Sequence, residues 1–136
     1  MNKDLLEVTD YTGPGYKPLV YFEGWRVAIL NDDPSKYRIE TVGRLERHNC
    51  TDEVFVLLQG HCSLLIGEEK SDDSIGKIIS VEMQPNKLYN IHKGVWHNLI
   101  GEENMALLIV ENSDTTKQNS NYIPISVEDI KKSLMR

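Results

Sequence analysis

Several features that would assign this chain to a common functional class are scarce or missing. Cysteine occurs twice in 136 residues, at Cys50 and Cys62. Two cysteines in a chain with no secretory leader read as free thiols, not as a disulfide framework. No apolar run approaches the roughly 20 residues of a membrane-spanning helix. The opening MNKDLLEVTDYTG has no apolar signal core, so a cytoplasmic protein with no membrane partner is expected. Lys and Arg are not clustered, and the formal net charge is −6. Nucleic acid is therefore excluded as the main partner, because its phosphates need a basic face. No Gly-rich phosphate loop, Ser-His-Asp order or nucleophile elbow is present. There is no internal repeat or low-complexity tract.

What remains is an ordinary globular composition, 40% hydrophobic and 26% charged, long enough for one core without metal or disulfides to hold it. A single domain over residues 1–136 is expected. Residues 1–18 form a mixed N-terminal segment in which Leu5, Leu6 and Val8 suggest a short strand or turn. The GPGYKP stretch at 13–18 reads as a loop by its Gly and Pro density. Short strands are expected at residues 19–22, 25–30, 37–45, 53–58, 62–66, 78–83, 88–91, 96–100 and 106–111, from β-branched and alternating patterns. Gln59-Gly60-His61 reads as a hairpin turn, and the polar residues 67–77 as an exposed hairpin loop. Even spacing without helical periodicity points to an all-β sandwich or barrel.

Residues 112–125 are too polar to pack a core and read as a surface arm. Ser126 then caps a helix over 126–136. Glu128 and Asp129 lie in its first turn, and Lys131, Lys132 and Arg136 lie near its end, matching the helix dipole. Val127, Ile130 and Leu134 give it one docking face.

The chemistry concentrates in GRLERHNCTDEVFVLLQG, residues 43–60. His48, Cys50 and Glu53 fall within six residues of one another. On an extended segment His48 and Cys50 share a face. Glu53 leads the face of Phe55 and Leu57, while Val54, Val56 and Leu58 take the other. That second face is also aliphatic, which predicts a strand covered on both sides. A carboxylate at the head of an apolar face is costly unless it is paired or bound to a cation. His97 alternates with Val95 and Leu99, so it can face the same interior. Two imidazoles, a carboxylate and a thiolate make a plausible shell for Zn, Fe, Ni or Mn.

These stretches resemble the two motifs of the cupin superfamily. In the first motif, Glu53, six residues and Gly60 match, and His48 matches the first histidine. Cys50 stands where a second histidine belongs, and Gly43 lies one residue closer to His48 than the pattern asks. In the second, Gly94 and His97 are kept, while Asn86, His92 and Gly101 replace Gly, Pro and Asn. The resemblance covers about residues 43–101. It implies a small double-stranded β-helix, or jelly-roll barrel, often dimeric.

The expected function is a cupin-like protein that binds a divalent metal through His48, Cys50, Glu53 and His97. A small carboxylate or sugar derivative would sit in a cavity lined by Phe55, Leu57 and Leu99, and a homodimer is expected. The alternatives are a metal-free small-molecule binder and a structural dimer. Each residue carries its own alternative: His48 and His97 as hydrogen-bonded cavity residues, Glu53 as the ion-pair partner of Arg44 or Arg47, and Cys50 as a small filler. Cys62 reads as plain core, and His61 and His92 as turn residues. Tyr89 and Trp25 read as cavity-lining, core or interface aromatics.

Overall fold

The computed structural model describes residues 5–71 and 74–135. Ten strands are followed by one helix: β1 (Gly15–Phe22), β2 (Trp25–Asn31), β3 (Arg44–His48), β4 (Glu53–Gln59), β5 (Cys62–Ser71), β6 (Ser74–Glu82), β7 (Tyr89–Ile91), β8 (Trp96–Gly101), β9 (Ala106–Asn112), β10 (Ser120–Pro124) and α1 (Val127–Leu134). They form two five-stranded antiparallel sheets, β1-β2-β9-β4-β7 and β10-β3-β8-β5-β6. This is the all-β architecture that the strand spacing predicted, in the jelly-roll form that the motif resemblance implied, with the expected short C-terminal helix.

The interior between the sheets is filled by alternate residues from both: Ala28, Leu30, Phe55, Leu57, Leu64, Leu99, Leu107 and Ile109. A second core lies outside the second sheet. There Leu45, Leu65, Ile78 and Trp96 pack against Ile130 of α1. Strands β5 and β8 are therefore covered on both faces. Strand β4 is not: Phe55 and Leu57 are buried, but Val54 and Val56 are half-buried and Leu58 is exposed. The two-sided apolar pattern of residues 53–58 misled because, among the described residues, no helix or sheet lies outside the first sheet at that point.

The turn at Gly60 is not a hairpin. Strand β4 pairs with β7 and β9, whereas β5 pairs with β6 and β8. The turn carries the chain from one sheet to the other. Gly60 sits at φ +75°, and a Cβ there would stand 2.8 Å from the Asn104 carbonyl oxygen and the Met105 Cα.

Other elements shift as well. Strand β1 begins at Gly15, inside the expected loop, and Leu5, Leu6 and Val8 are exposed and outside any strand. Residues 37–41 form a bend and a turn, residues 42–43 are irregular, and the strand begins only at Arg44. Residues 67–71 and 74–77 extend the β5–β6 hairpin where a loop was expected. The polar arm forms a short 3-10 turn, Lys117–Asn119, and then β10, which pairs along all of β3 from Ser120↔His48 to Pro124↔Arg44. Its polarity reflects an edge strand with one wet face. The helix is capped as expected, with the Ser126 side chain accepting from the Asp129 amide. Arg136, expected near its end, lies outside the described residues.

Candidate metal centre and cavity

Two strands of the second sheet and two of the first bring their polar inward residues together. Glu46 and His48 alternate on β3, and Glu46 lies directly opposite His97 of β8. Glu53 opens β4, and Glu111 lies near the end of β9. The register Val54↔Val110 sets these two carboxylates side by side.

His97 Nε2 lies 2.9 Å from Glu53 Oε1, and His48 Nε2 lies 3.3 Å from the same oxygen. Glu46 Oε1 stands 3.8 Å from His48 Nε2 and 4.0 Å from His97 Nε2. The imidazoles meet edge-on with centroids 5.3 Å apart, and Phe55 closes the other side of His97 at 6.1 Å.

The outer nitrogens of both rings are committed. His97 Nδ1 lies 2.9 Å from the Val95 carbonyl oxygen, which can only accept, so Nδ1 carries a proton. His48 Nδ1 lies 2.8 Å from Ser120 Oγ, and that hydroxyl donates to the Thr116 carbonyl at 2.7 Å. Ser120 must therefore accept, so His48 Nδ1 also carries a proton. Both Nε2 atoms then point at one carboxylate oxygen. If the rings are neutral, lone pairs face a negative oxygen, and the arrangement needs a cation between them. Protons on both Nε2 atoms satisfy that need, and so does a metal ion.

The electrostatics agree with this geometry. Burial works against charge on His48 and His97, but hydrogen bonds to Glu53 and its charge outweigh it and raise both rings above their ordinary value. Burial likewise opposes charge on Glu53, and the two imidazoles overcome it and hold the carboxyl well below its usual range. Glu111 is pushed up, first by burial and then by the charge of Glu53, against the pull of Tyr16 and Arg26.

The cluster forms part of the wall of a cavity of about 610 Å³, within the size range of small-molecule sites. Phe55 and Leu99 line it as expected. Leu57 does not: it lies one pleat further along β4, packed in the apolar interior. Lys36, Arg44 and Lys117 also line the cavity, are exposed, and form no ion pair with a carboxylate among the described residues. The Arg44 guanidinium stacks on the Tyr122 ring at 4.1 Å.

Of the four expected ligands, the structure brings His48, Glu53 and His97 together and leaves Cys50 out. Strand β3 ends at His48 and residues 49–50 form a bend, so the alternation that put Cys50 on the face of His48 stops short of it. Its side chain is exposed. Glu53 meets neither Arg44 nor Arg47; Arg47 bonds Glu69 and Asn121 instead. Cys62 is core, with its thiol pushed up to about 12 by burial. His61 and His92 are exposed, and His92 meets Asp52. Trp25 is exposed, and the Tyr89 hydroxyl accepts from the Gln84 amide.

Glu46 and Glu111 were not singled out from the sequence, although the signal was there. Glu46 lies two residues before His48 on a strand. Glu111 ends the alternation Leu107, Ile109, Glu111, just as Glu53 begins the alternation with Phe55 and Leu57.

No family model and no curated protein sequence matches the chain. Solved structures do. A cupin-2 domain-containing protein from Shewanella frigidimarina superposes with a TM-score of 0.54 at 17% identity, over 75% of this chain and 84% of that one. KdgF from Halomonas gives 0.53 at 11% identity, over 76% and 81%. A Streptomyces PAC13 variant with uridine gives 0.57 at 12% identity, over 87% of each chain. At these identities the likeness establishes the fold: the chain is a cupin-fold jelly roll. No helix of the described residues is long and apolar enough to cross a membrane.

Proposed function

We propose that this cupin-fold chain is a divalent-metal protein that binds a small anionic, oxygen-bearing metabolite inside the barrel. The observation that carries the reading is the convergence of two Nε2 atoms on Glu53 Oε1 while both Nδ1 atoms are tied outward. His48, His97, Glu53 and Glu46 would hold the ion; Glu46 takes the place expected of Cys50. The donor set of two imidazoles and carboxylates suits Zn, Fe, Ni or Mn, and without a thiolate the argument for a soft metal falls away. The bound ion would supply Lewis acidity and a template for the metabolite.

This chain's own residues do the rest. The Val95 carbonyl and Ser120 fix the ring orientations. Phe55, Leu99 and Ile109 exclude water from the inner wall. Lys36, Arg44 and Lys117, which form no ion pair with a carboxylate among the described residues, offer positive charge to the metabolite on a chain of net charge −6, which favours a carboxylate over a neutral sugar.

The test is elemental analysis of protein purified without added metal, beside a His48→Ala/His97→Ala variant. Near-stoichiometric metal that the substitutions remove supports the reading. Sub-stoichiometric metal that they leave unchanged overturns it and leaves the second reading, a metal-free binder. That reading is favoured by the hydrogen bonds and charge of Glu53, which raise both imidazoles above their ordinary value.

A homodimer is part of the proposal. Tyr21 and Phe22 at the end of the edge strand β1, and Trp25 at the start of its neighbour β2, are exposed around the turn between them. A monomeric mass in solution scattering at micromolar concentration would count against it.

A further inference from the structure

Glu111 is a buried carboxylate of which only one oxygen is used. Its Oε2 accepts from the Tyr16 hydroxyl at 2.6 Å and from Arg26 Nη2 at 3.1 Å. Arg26 is its direct cross-strand partner on β2, and Tyr16 reaches it from β1. The side chain is 3% exposed. Its other oxygen, Oε1, is buried and has no hydrogen-bond partner among the described residues. A bare buried oxygen on a fixed carboxylate is unusual in a folded protein and calls for a partner from outside the chain.

The position says what that partner is. Glu111 lines the same cavity as the His–Glu cluster. One of its carboxylate oxygens lies within 4.8 Å of ligand atoms on His48 and Glu53, forming a second potential ligand group that shares His48 with the group Glu46, His48 and His97. Ligating carboxylates are themselves held by outer hydrogen bonds, as Tyr16 and Arg26 hold this one. Charge points the same way. Arg26 offsets one of the three carboxylates Glu46, Glu53 and Glu111, and the two negative charges left are what a divalent ion neutralises when both imidazoles are neutral.

We propose that Glu111 is a metal-ligating carboxylate of this centre, supplied by β9 and held by Tyr16 and Arg26. The assignment rests on the metal reading above and deepens it. It makes the shell oxygen-rich, a composition that accommodates Mn2+ and Fe2+.

The experiment is calorimetric titration of Mn2+ and Zn2+ into the metal-stripped full chain and into Glu111→Gln, Glu53→Gln and Tyr16→Phe variants. Visible spectra of the Co2+-loaded forms accompany it. Glu111→Gln is expected to weaken Mn2+ binding about 10-fold or more and to change the Co2+ spectrum. Tyr16→Phe, which removes a hydrogen bond but no ligand, is expected to leave the spectrum unchanged. A folded Glu111→Gln protein with the affinity and Co2+ spectrum of the unsubstituted chain would mean that Glu111 is only a strut for Tyr16 and Arg26, and would overturn the assignment. Should Glu111→Gln fail to fold, Glu111→Asp keeps the charge but withdraws the oxygen by one methylene. The same loss is expected there, and unchanged affinity overturns the assignment equally. Loss of binding in Glu53→Gln with retention in Glu111→Gln defeats this assignment alone. No binding by the unsubstituted chain defeats the metal reading beneath it.

Discussion

His97 Nε2 and Glu53 Oε1 lie 2.9 Å apart across the interior, each from a different sheet and each almost fully buried. His97 is fixed by the Val95 carbonyl on its far side. This contact joins the two layers at the place where the cavity begins. It also makes the stability of the fold depend on the state of the site.

Glu53→Gln removes the charge that both imidazoles face. Breaking a buried pair by deleting one partner costs about 3–5 kcal/mol, and loss of protons from the histidines relieves part of this. The metal-free variant is expected to be about 3 kcal/mol less stable than the unsubstituted chain near pH 6, measured by urea unfolding. A difference below about 1 kcal/mol would show that the pair contributes only what an exposed one does.

The pH dependence of the metal-free protein follows from the same groups. His48 and His97 are raised above 6.5, so their contribution is complete below 6.5 and is lost as pH rises through the folded values. Glu53 is lowered below 4.5, so its contribution is present above 4.5 and is lost as pH falls through the folded value. Stability is expected to decline on the alkaline side of 6.5, and the decline is expected to flatten in a His48→Gln/His97→Gln variant. Metal affinity is expected to move the opposite way, weakening as pH falls, because protons and metal compete for Nε2. Urea midpoints and Mn2+ titrations from about pH 5.5 to about pH 8.5 check both trends.

Ser120→Ala deprives His48 Nδ1 of its acceptor while leaving every proposed ligand in place. Loss of such an outer hydrogen bond typically costs 10- to 100-fold in metal affinity, and at least about 10-fold is expected here. The stability cost to the metal-free chain is expected to be about 1 kcal/mol. Calorimetry beside urea unfolding separates the two. Equal affinity would show that Ser120 does not orient the ring.

Gly60→Ala tests the crossing between sheets. The position combines φ +75° with backbone atoms 2.8 Å from where the Cβ would stand. Backbone strain of this kind costs about 1–3 kcal/mol before any clash, so a loss of at least 2 kcal/mol is expected. An unfolding midpoint that does not move would contradict the turn geometry.

Much of the fold was legible because short strands with alternating burial leave a direct trace in the sequence. The strands around residues 25–30, 53–58, 78–83, 96–100 and 106–111 were found within a few residues of their observed ends, and the helix cap at Ser126 was read directly. The failures have physical reasons. Residues 37–43 carry β-branched side chains, yet they follow a turn in which the Tyr37 and Lys36 amides bond the Asp33 carbonyl. Strand β10 is polar because an edge strand needs only one apolar face. Pairing is non-local, so nothing near Gly60 reveals that β4 and β5 part company.

The site divides in the same way. By itself the sequence determined that His48, Glu53 and His97 face the interior, because a strand puts alternate residues on one side and a buried carboxylate needs a partner. It could not decide on Cys50, whose placement depends on where β3 stops. Only the tertiary structure decided that Glu46 and Glu111 join the cluster, that Ser120 of the polar arm fixes a histidine, and that Lys36, Arg44 and Lys117 line the cavity. Those relationships cross from one sheet to the other or arise from strands distant in the chain. Packing and register set them, and local periodicity carries no record of either.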